Sequence, residues 1–128
     1  MARSFSIKTS VIDLFAGPGG LGEGFSKSKS FGQSLSIEMD SNACETLKLR
    51  KLFRALNQKD KKIFYDLLHD DTKLSWEKVK TIFEDHVEAI ENSVWNHELG
   101  SKNISQEQTL KEIKRRLSKL GHVKKLSL

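Results

Sequence analysis

Two short apolar blocks stand out in the first forty positions, Val11, Ile12, Leu14 and Phe15, then Leu35, Ile37 and Met39, with glycine and serine clusters between them. Blocks this short predict buried strands, over residues 10–15 and 33–39, joined by a glycine loop at 16–22, a short helix at about 21–27 and a Ser/Lys/Gly connection at 26–32. The period then lengthens. After a cap at Asp40 or Ser41, a helix is expected to about residue 56, with Ala43, Cys44, Leu47, Leu52, Phe53 and Leu56 supplying much of its apolar face. Ile63, Phe64, Leu67 and Leu68 form a further stripe. From 75 to 99, Trp76, Val79, Ile82, Phe83, Val87, Ile90 and Val94 recur at helical spacing, and Gly100 is expected to end that helix. A last helix opens on Ser105-Gln106-Glu107-Gln108, the spacing of a capping box, and carries Leu110, Ile113, Leu117 and Leu120 before Gly121. No internal repeat is visible.

Composition narrows the class. The 128 residues suit one domain, shorter than the usual two-half nucleotide-binding sheet. The net charge of +5 is unevenly spread: residues 1–56 carry +3, residues 57–100 carry −4 and residues 101–128 carry +6. Cys44 is the only cysteine, so no intramolecular disulfide is possible, and its place on an apolar helix face predicts a buried, inert thiol. The first ten residues have no apolar export segment and no apolar run approaches spanning length, so a soluble, cytoplasmic protein is expected. His69, His86, His97 and His122 show no ligand spacing, and no metal is expected. Trp76 and Trp95 fit helix packing.

The candidate chemistry lies in the loop. Gly17-Pro18-Gly19-Gly20-Leu21-Gly22 satisfies the dinucleotide pattern G-x-G-x-x-G, and Glu38 follows 21 residues after Gly17 at the end of the second apolar block. Glycines let backbone turn sharply and approach a ligand, and an acid at that distance accepts hydrogen bonds from ribose hydroxyls. The pair therefore specifies an adenosine, whether of NAD or of S-adenosylmethionine. The flanking residues favour the second.

Asp-Leu-Phe-Ala-Gly-Pro-Gly-Gly from Asp13 to Gly20, then Ser36-Ile37-Glu38-Met39-Asp40 and Ala43-Cys44-Glu45-Thr46-Leu47, resembles the first two motifs of the DNA (cytosine-5)-methyltransferases. The resemblance implies an incomplete Rossmann-like α/β fold, a first βαβα unit over residues 1–56, followed by a helical insertion over 57–121 and a basic tail, the start of a further strand, over 122–128. It implies S-adenosylmethionine as cofactor and double-stranded DNA as the partner of the complete enzyme. Asp13, Phe15, Ala16, Gly17, Pro18, Gly19, Gly20 and Leu21 would shape the loop under the methionine part of the cofactor, with Phe15 against it. Glu38 would hold the ribose and Met39 would face the adenine. The segments at 47–54 and 64–68, and the one ending His97-Glu98-Leu99-Gly100, resemble a helical insertion found in one branch of the family.

The family's covalent step uses a cysteine in a Pro-Cys motif, which adds to C6 of a flipped-out cytosine so that C5 accepts the methyl group. Pro18 and Cys44 are the only proline and cysteine here and they are not adjacent, so no catalytic residue is assigned. Glu91-Asn92-Ser93 imitates another family motif but lies inside an expected amphipathic helix. The chain is expected to be the N-terminal part of a longer methyltransferase, typically of a restriction-modification system. One part of a split enzyme, completed by a second polypeptide bearing the cysteine, and a non-catalytic cofactor-binding module are the alternatives. Lys114-Arg115-Arg116 and Lys124-Lys125 read as the exposed side of a helix before they read as a phosphate-binding surface.

Overall fold

The computed structural model describes residues 9–19, 31–70 and 74–120. Strands β1 (Thr9–Asp13), β2 (Phe31–Glu38) and β3 (Val94–Asn96) form a sheet in the order β1-β2-β3 with both pairings parallel. The helices are α1 (Ser41–Ala55), α2 (Gln58–Asp70), α3 (Trp76–Val79), α4 (Glu84–Ser93) and α5 (Gln106–Lys119). The α/β class expected from the pattern is the one observed.

Alternation along the strands sets the layers. Leu35 and Ile37 of β2 pack with Ile113 and Leu117 of α5, and Trp95 of β3 packs against the same group. On the other face Val94 meets Cys44 and Leu47 of α1 and Ala16 of the loop. A separate core of Leu52, Leu56, Phe64, Trp76, Val79, Phe83 and Ile90 joins α1 to α2, α3 and α4.

Both N-terminal caps read from the sequence are formed, whereas Gly100, expected to end a helix, follows none: α4 ends at Ser93. Asp40 accepts the backbone N–H groups of Asn42 (2.8 Å) and Ala43 (3.3 Å) at the start of α1. At α5 the Ser105 hydroxyl accepts the Gln108 N–H at 3.2 Å, and the Gln108 side chain accepts the Ser105 N–H at 2.9 Å.

The single helix expected over residues 75–99 is corrected: that stretch holds α3, α4 and β3. After Val79 the chain leaves the helical path. Phe83 takes a non-helical backbone (φ −114°, ψ 53°), which buries its ring among Phe64 and the other core residues. At the far end Val94 is extended (φ −128°, ψ 117°), and Val94, Trp95 and Asn96 pair with Ser36, Ile37 and Glu38. Val94 does recur at helical spacing, but pairing with β2 satisfies its backbone while burying a β-branched side chain, and tertiary pairing overrides the local period. The stretch expected to be helical throughout thus gives the sheet its third strand.

Strand limits also move. β1 stops at Asp13 rather than residue 15, because the Asp13 carboxylate accepts the Phe15 N–H at 3.2 Å and turns the chain. β2 runs from Phe31, two residues before the expected start, and ends at Glu38. The helix expected at residues 21–27 and the tail at 122–128 lie outside the described residues.

Arg116 joins α5 to the end of α4. Its Nη1 donates to the carbonyls of Glu91 (2.9 Å) and Val94 (3.1 Å), and its Nε donates to Glu112 at 2.8 Å. These carbonyls lie where α4 runs out of its own donors, so a cation there also suits the negative end of the helix dipole. Of the basic triplet in α5, then, Arg116 is engaged within the fold, while Lys114 and Arg115 are exposed.

Candidate functional site

The ends of β1, β2 and β3 bring the candidate residues together. Beyond β1 the Ala16 N–H donates to the Ile37 carbonyl at 3.1 Å, which holds the loop across the end of β2, and the Gly19 N–H closes a tight turn on the Ala16 carbonyl at 3.2 Å. Gly17 and Gly19 have positive φ, 55° and 99°. A Cβ on Gly19 would stand 2.8 Å from Cδ2 of Leu47, itself buried under the loop, whereas one on Gly17 would meet nothing within 4 Å. Gly19→Ala is therefore expected to cost about 1–3 kcal/mol of stability, through left-handed backbone and overpacking together. Gly17→Ala should cost less, with urea denaturation of the two variants as the check.

Glu38 is held by its backbone. Its carbonyl accepts the His97 N–H at 2.9 Å and the Cys44 thiol at 3.2 Å. Asn96, with its amide turned so that the nitrogen faces β2, also donates to the carbonyls of Glu38 (3.1 Å) and Met39 (3.0 Å). The side chain is half-buried, and among the described residues its Oε2 receives a single long contact, 3.4 Å from the Asp40 N–H. Around it lies an open cavity of about 280 Å³ lined by Leu14, Phe15, Met39, Asp40, His97, Glu98 and Leu99. Phe15 is 80% exposed and Met39 67% exposed, large apolar side chains on either side of a carboxylate. A cleft with exposed apolar side chains and a half-buried acid at the end of β2, rimmed by the further carboxylates Asp40 and Glu98, is suited to an aromatic base joined to a sugar.

Asp13, Phe15, Ala16, Gly17, Pro18 and Gly19 all belong to this loop, although only Phe15 of them lines the cavity; Ala16 is buried beneath it with Cys44 and Leu47. Gly20 and Leu21 lie outside the described residues. Cys44 packs in the apolar face, and burial first, then the nearby Glu38 carboxylate, pushes its thiol above the ordinary value, which disfavours the reactive thiolate.

Sequence reasoning missed the wall contributed by His97, Glu98 and Leu99. The His97 ring stacks on Trp95 at 4.1 Å, nearly parallel, and its Nε2 is buried with no hydrogen-bond partner among the described residues. The Val-Trp pair at 94–95, β-branched then aromatic, was the available signal of a strand whose end would reach the site. Among the described residues no three His, Cys, Asp or Glu side chains are grouped to hold a metal ion, and no helix is long and apolar enough to cross a membrane.

Comparison with known proteins fits this geometry. The C-5 cytosine-specific DNA methylase family matches residues 9–82, which include β1, the loop, β2 and α1. A type II methyltransferase of Bacillus paralicheniformis, M.Bpa9945I, is 42% identical over 59 residues, a stretch covering 45% of this chain and 13% of that protein. The chain accordingly spans a small part of that relative's length. No solved structure matches. With more than half of its residues matched, and with the matched part carrying the glycine loop and the acid at the end of β2, the chain belongs to the C-5 cytosine-specific DNA methylase family.

Proposed function

We propose that this chain supplies the S-adenosylmethionine-holding part of a DNA (cytosine-5)-methyltransferase. The observation that carries the reading is the half-buried Glu38 carboxylate, lightly engaged and flanked by exposed Phe15 and Met39 at the mouth of a cleft formed by the strand ends. Open parallel sheets place ligands at the carboxyl ends of their strands, where this cleft lies.

In this reading Glu38 accepts hydrogen bonds from the two ribose hydroxyls, Met39 covers the adenine and Phe15 lies against the cofactor. Gly17 and Gly19 bring backbone close to the methionine part, and Asp13 fixes the turn by accepting the Phe15 N–H. The buried Nε2 of His97 gains a partner in the cofactor's polar edge. Bound there, S-adenosylmethionine supplies an electrophilic methyl group. The residues of this chain bind and orient; none of them adds to the cytosine, because the buried, protonated Cys44 faces the Glu38 carbonyl inside the fold.

The thiolate that attacks C6 of the cytosine, and the surface that reads the DNA, therefore come from sequence other than these 128 residues, as a continuation of the same protein or a separate polypeptide. In this reading residues 1–56 are the cofactor unit and the segment over 57–121 supports it, its described helices packing beside it while β3 and the His97 wall complete its sheet and cleft. Isothermal titration of the purified chain with S-adenosylmethionine and, in parallel, with NAD tests the reading. Saturable binding of the first in preference to the second is expected. Preference for NAD, or a folded chain that binds neither, would overturn it.

A further inference from the structure

Lys51 is a lysine where an apolar residue belongs. It lies on α1 between the core residues Leu47 and Leu52 and is only 8% exposed. Its Nζ donates at 2.8 Å to the carbonyl of Ser93, at the junction of α4 and β3. The sheet register shows what else is near: Asp13 pairs with Ser36 and Ser36 with Val94, so the end of β1, the buried Ser36 of β2 and the start of β3 form one row across the sheet. At one end of that row the Asp13 carboxylate has one oxygen on the Phe15 N–H and the other, Oδ2, buried with no hydrogen-bond partner among the described residues. A buried carboxylate oxygen needs a positive charge or a donor near it.

We propose that Lys51 is a positioning residue for the cofactor loop, its ammonium group serving as the buried counter-charge that holds the Asp13 carboxylate in the orientation that accepts the Phe15 N–H. Lys51 touches no ligand; it acts through Asp13 on the turn that presents Phe15. As far as it concerns cofactor affinity, the inference rests on the reading of the site given above. The arrangement itself does not.

The charge on Lys51 is adjustable. Burial, and after it the Arg54 guanidinium, pushes its pKa down to about 7, while Asp13 acts in the opposite direction. The charges acting on it are Arg54 from its own helix and Asp13 from β1, its hydrogen bond goes to the uncharged Ser93 carbonyl at the end of α4, and His97 lines the same cavity as Phe15. Above neutrality Asp13 therefore loses its counter-charge and the turn is released. Global stability moves the other way. A lysine whose folded pKa lies below its ordinary 10.5 holds its proton longer in the unfolded chain, so stability rises as pH climbs from about 7 toward 10.5. A loss of cofactor affinity over that window is then not a loss of fold.

The test is carbon-detected NMR of the full chain from pH 6 to 9, following Lys51 Cε, Asp13 Cγ and the Phe15 nitrogen together, with S-adenosylmethionine titrated at each end of the range. All three signals are expected to move with one midpoint near 7, and affinity to fall by about tenfold toward high pH, the effect of a one-unit rise in the Lys51 pKa on binding. In Lys51→Met the Asp13 and Phe15 transitions should vanish, and the part of the fall in affinity that tracks them in the wild type should be lost. An Asp13 or Phe15 transition that departs from the Lys51 midpoint in the wild type, or that persists in Lys51→Met, belongs to another group such as His97 and overturns the proposal; the wild-type comparison decides even if the variant does not fold. Coincident transitions in a chain that binds no S-adenosylmethionine would support the Lys51 arrangement and sink the cofactor reading alone.

Discussion

Exchanging Glu38 for alanine is expected to weaken S-adenosylmethionine binding by about a hundredfold or more, since two hydrogen bonds to a carboxylate contribute about 1.5–3 kcal/mol each. The fold should survive it. What ties residue 38 into the protein is its carbonyl, which accepts from His97 and Cys44, and its place in β2 opposite Asn96; alanine keeps all of these. The carboxylate itself gives up only the 3.4 Å contact with the Asp40 N–H, and α1 retains its cap on the Asp40 side chain. A thermal midpoint within about 3 °C of the wild type, a change of under 1 kcal/mol, is therefore expected alongside the lost binding. Glu38→Gln keeps an acceptor but not the charge and should fall between the two. Binding unchanged in Glu38→Ala would remove the ribose from this acid, and a collapse of the thermal midpoint would make Glu38 a structural residue instead.

The two halves of the site differed in how plainly the sequence announced them. The loop and Glu38 were legible because local chemistry determines them: glycines where φ must be positive at 17 and 19, an acid at the end of an apolar block, and Asp40 as a cap. Asp13 was legible as part of the motif, but its action on the Phe15 N–H, which ends β1 early, depends on backbone geometry that no spacing reveals. The His97 wall was hidden for a different reason. Val94 continues the helical recurrence from Trp76 through Ile90, and only the presence of β2 beside it makes an extended chain preferable. A pattern confined to one segment cannot register a partner 58 residues away, the separation of Ser36 from Val94. Lys51 was hidden likewise: a lysine in an amphipathic helix reads as solvent-facing until the packing of α1 against β3 shows its ammonium group inside.

The same limit of local pattern applies to Trp76, whose helical spacing announced burial but not its reach. Trp76→Ala is expected to destabilise the chain by about 3–5 kcal/mol, against a total stability of about 5–15 kcal/mol for a small domain. The ring is 4% exposed in the core shared by α1, α2, α3 and α4. Its indole N–H donates to Glu91 of α4 at 3.2 Å, its backbone N–H donates to Glu45 of α1 at 2.9 Å, and the Lys48 ammonium lies 5.9 Å from the ring centre. Alanine retains the backbone bond alone and leaves a cavity at the meeting of α1 and α4, the two helices that carry Lys51 and Ser93. Trp76→Phe fills most of that space and loses the indole N–H, so about 1–2 kcal/mol is expected. Urea denaturation followed by circular dichroism, which does not depend on the removed fluorophore, measures both. Cofactor binding separates this variant from Glu38→Ala: at low temperature, where a fraction of Trp76→Ala remains folded, S-adenosylmethionine should raise its denaturation midpoint by mass action, as it should for the wild type and not for Glu38→Ala. If Trp76→Ala is as stable as the wild type, the helical core is dispensable to the fold, and the helices over residues 57–93 do not buttress the cofactor unit in the way argued here.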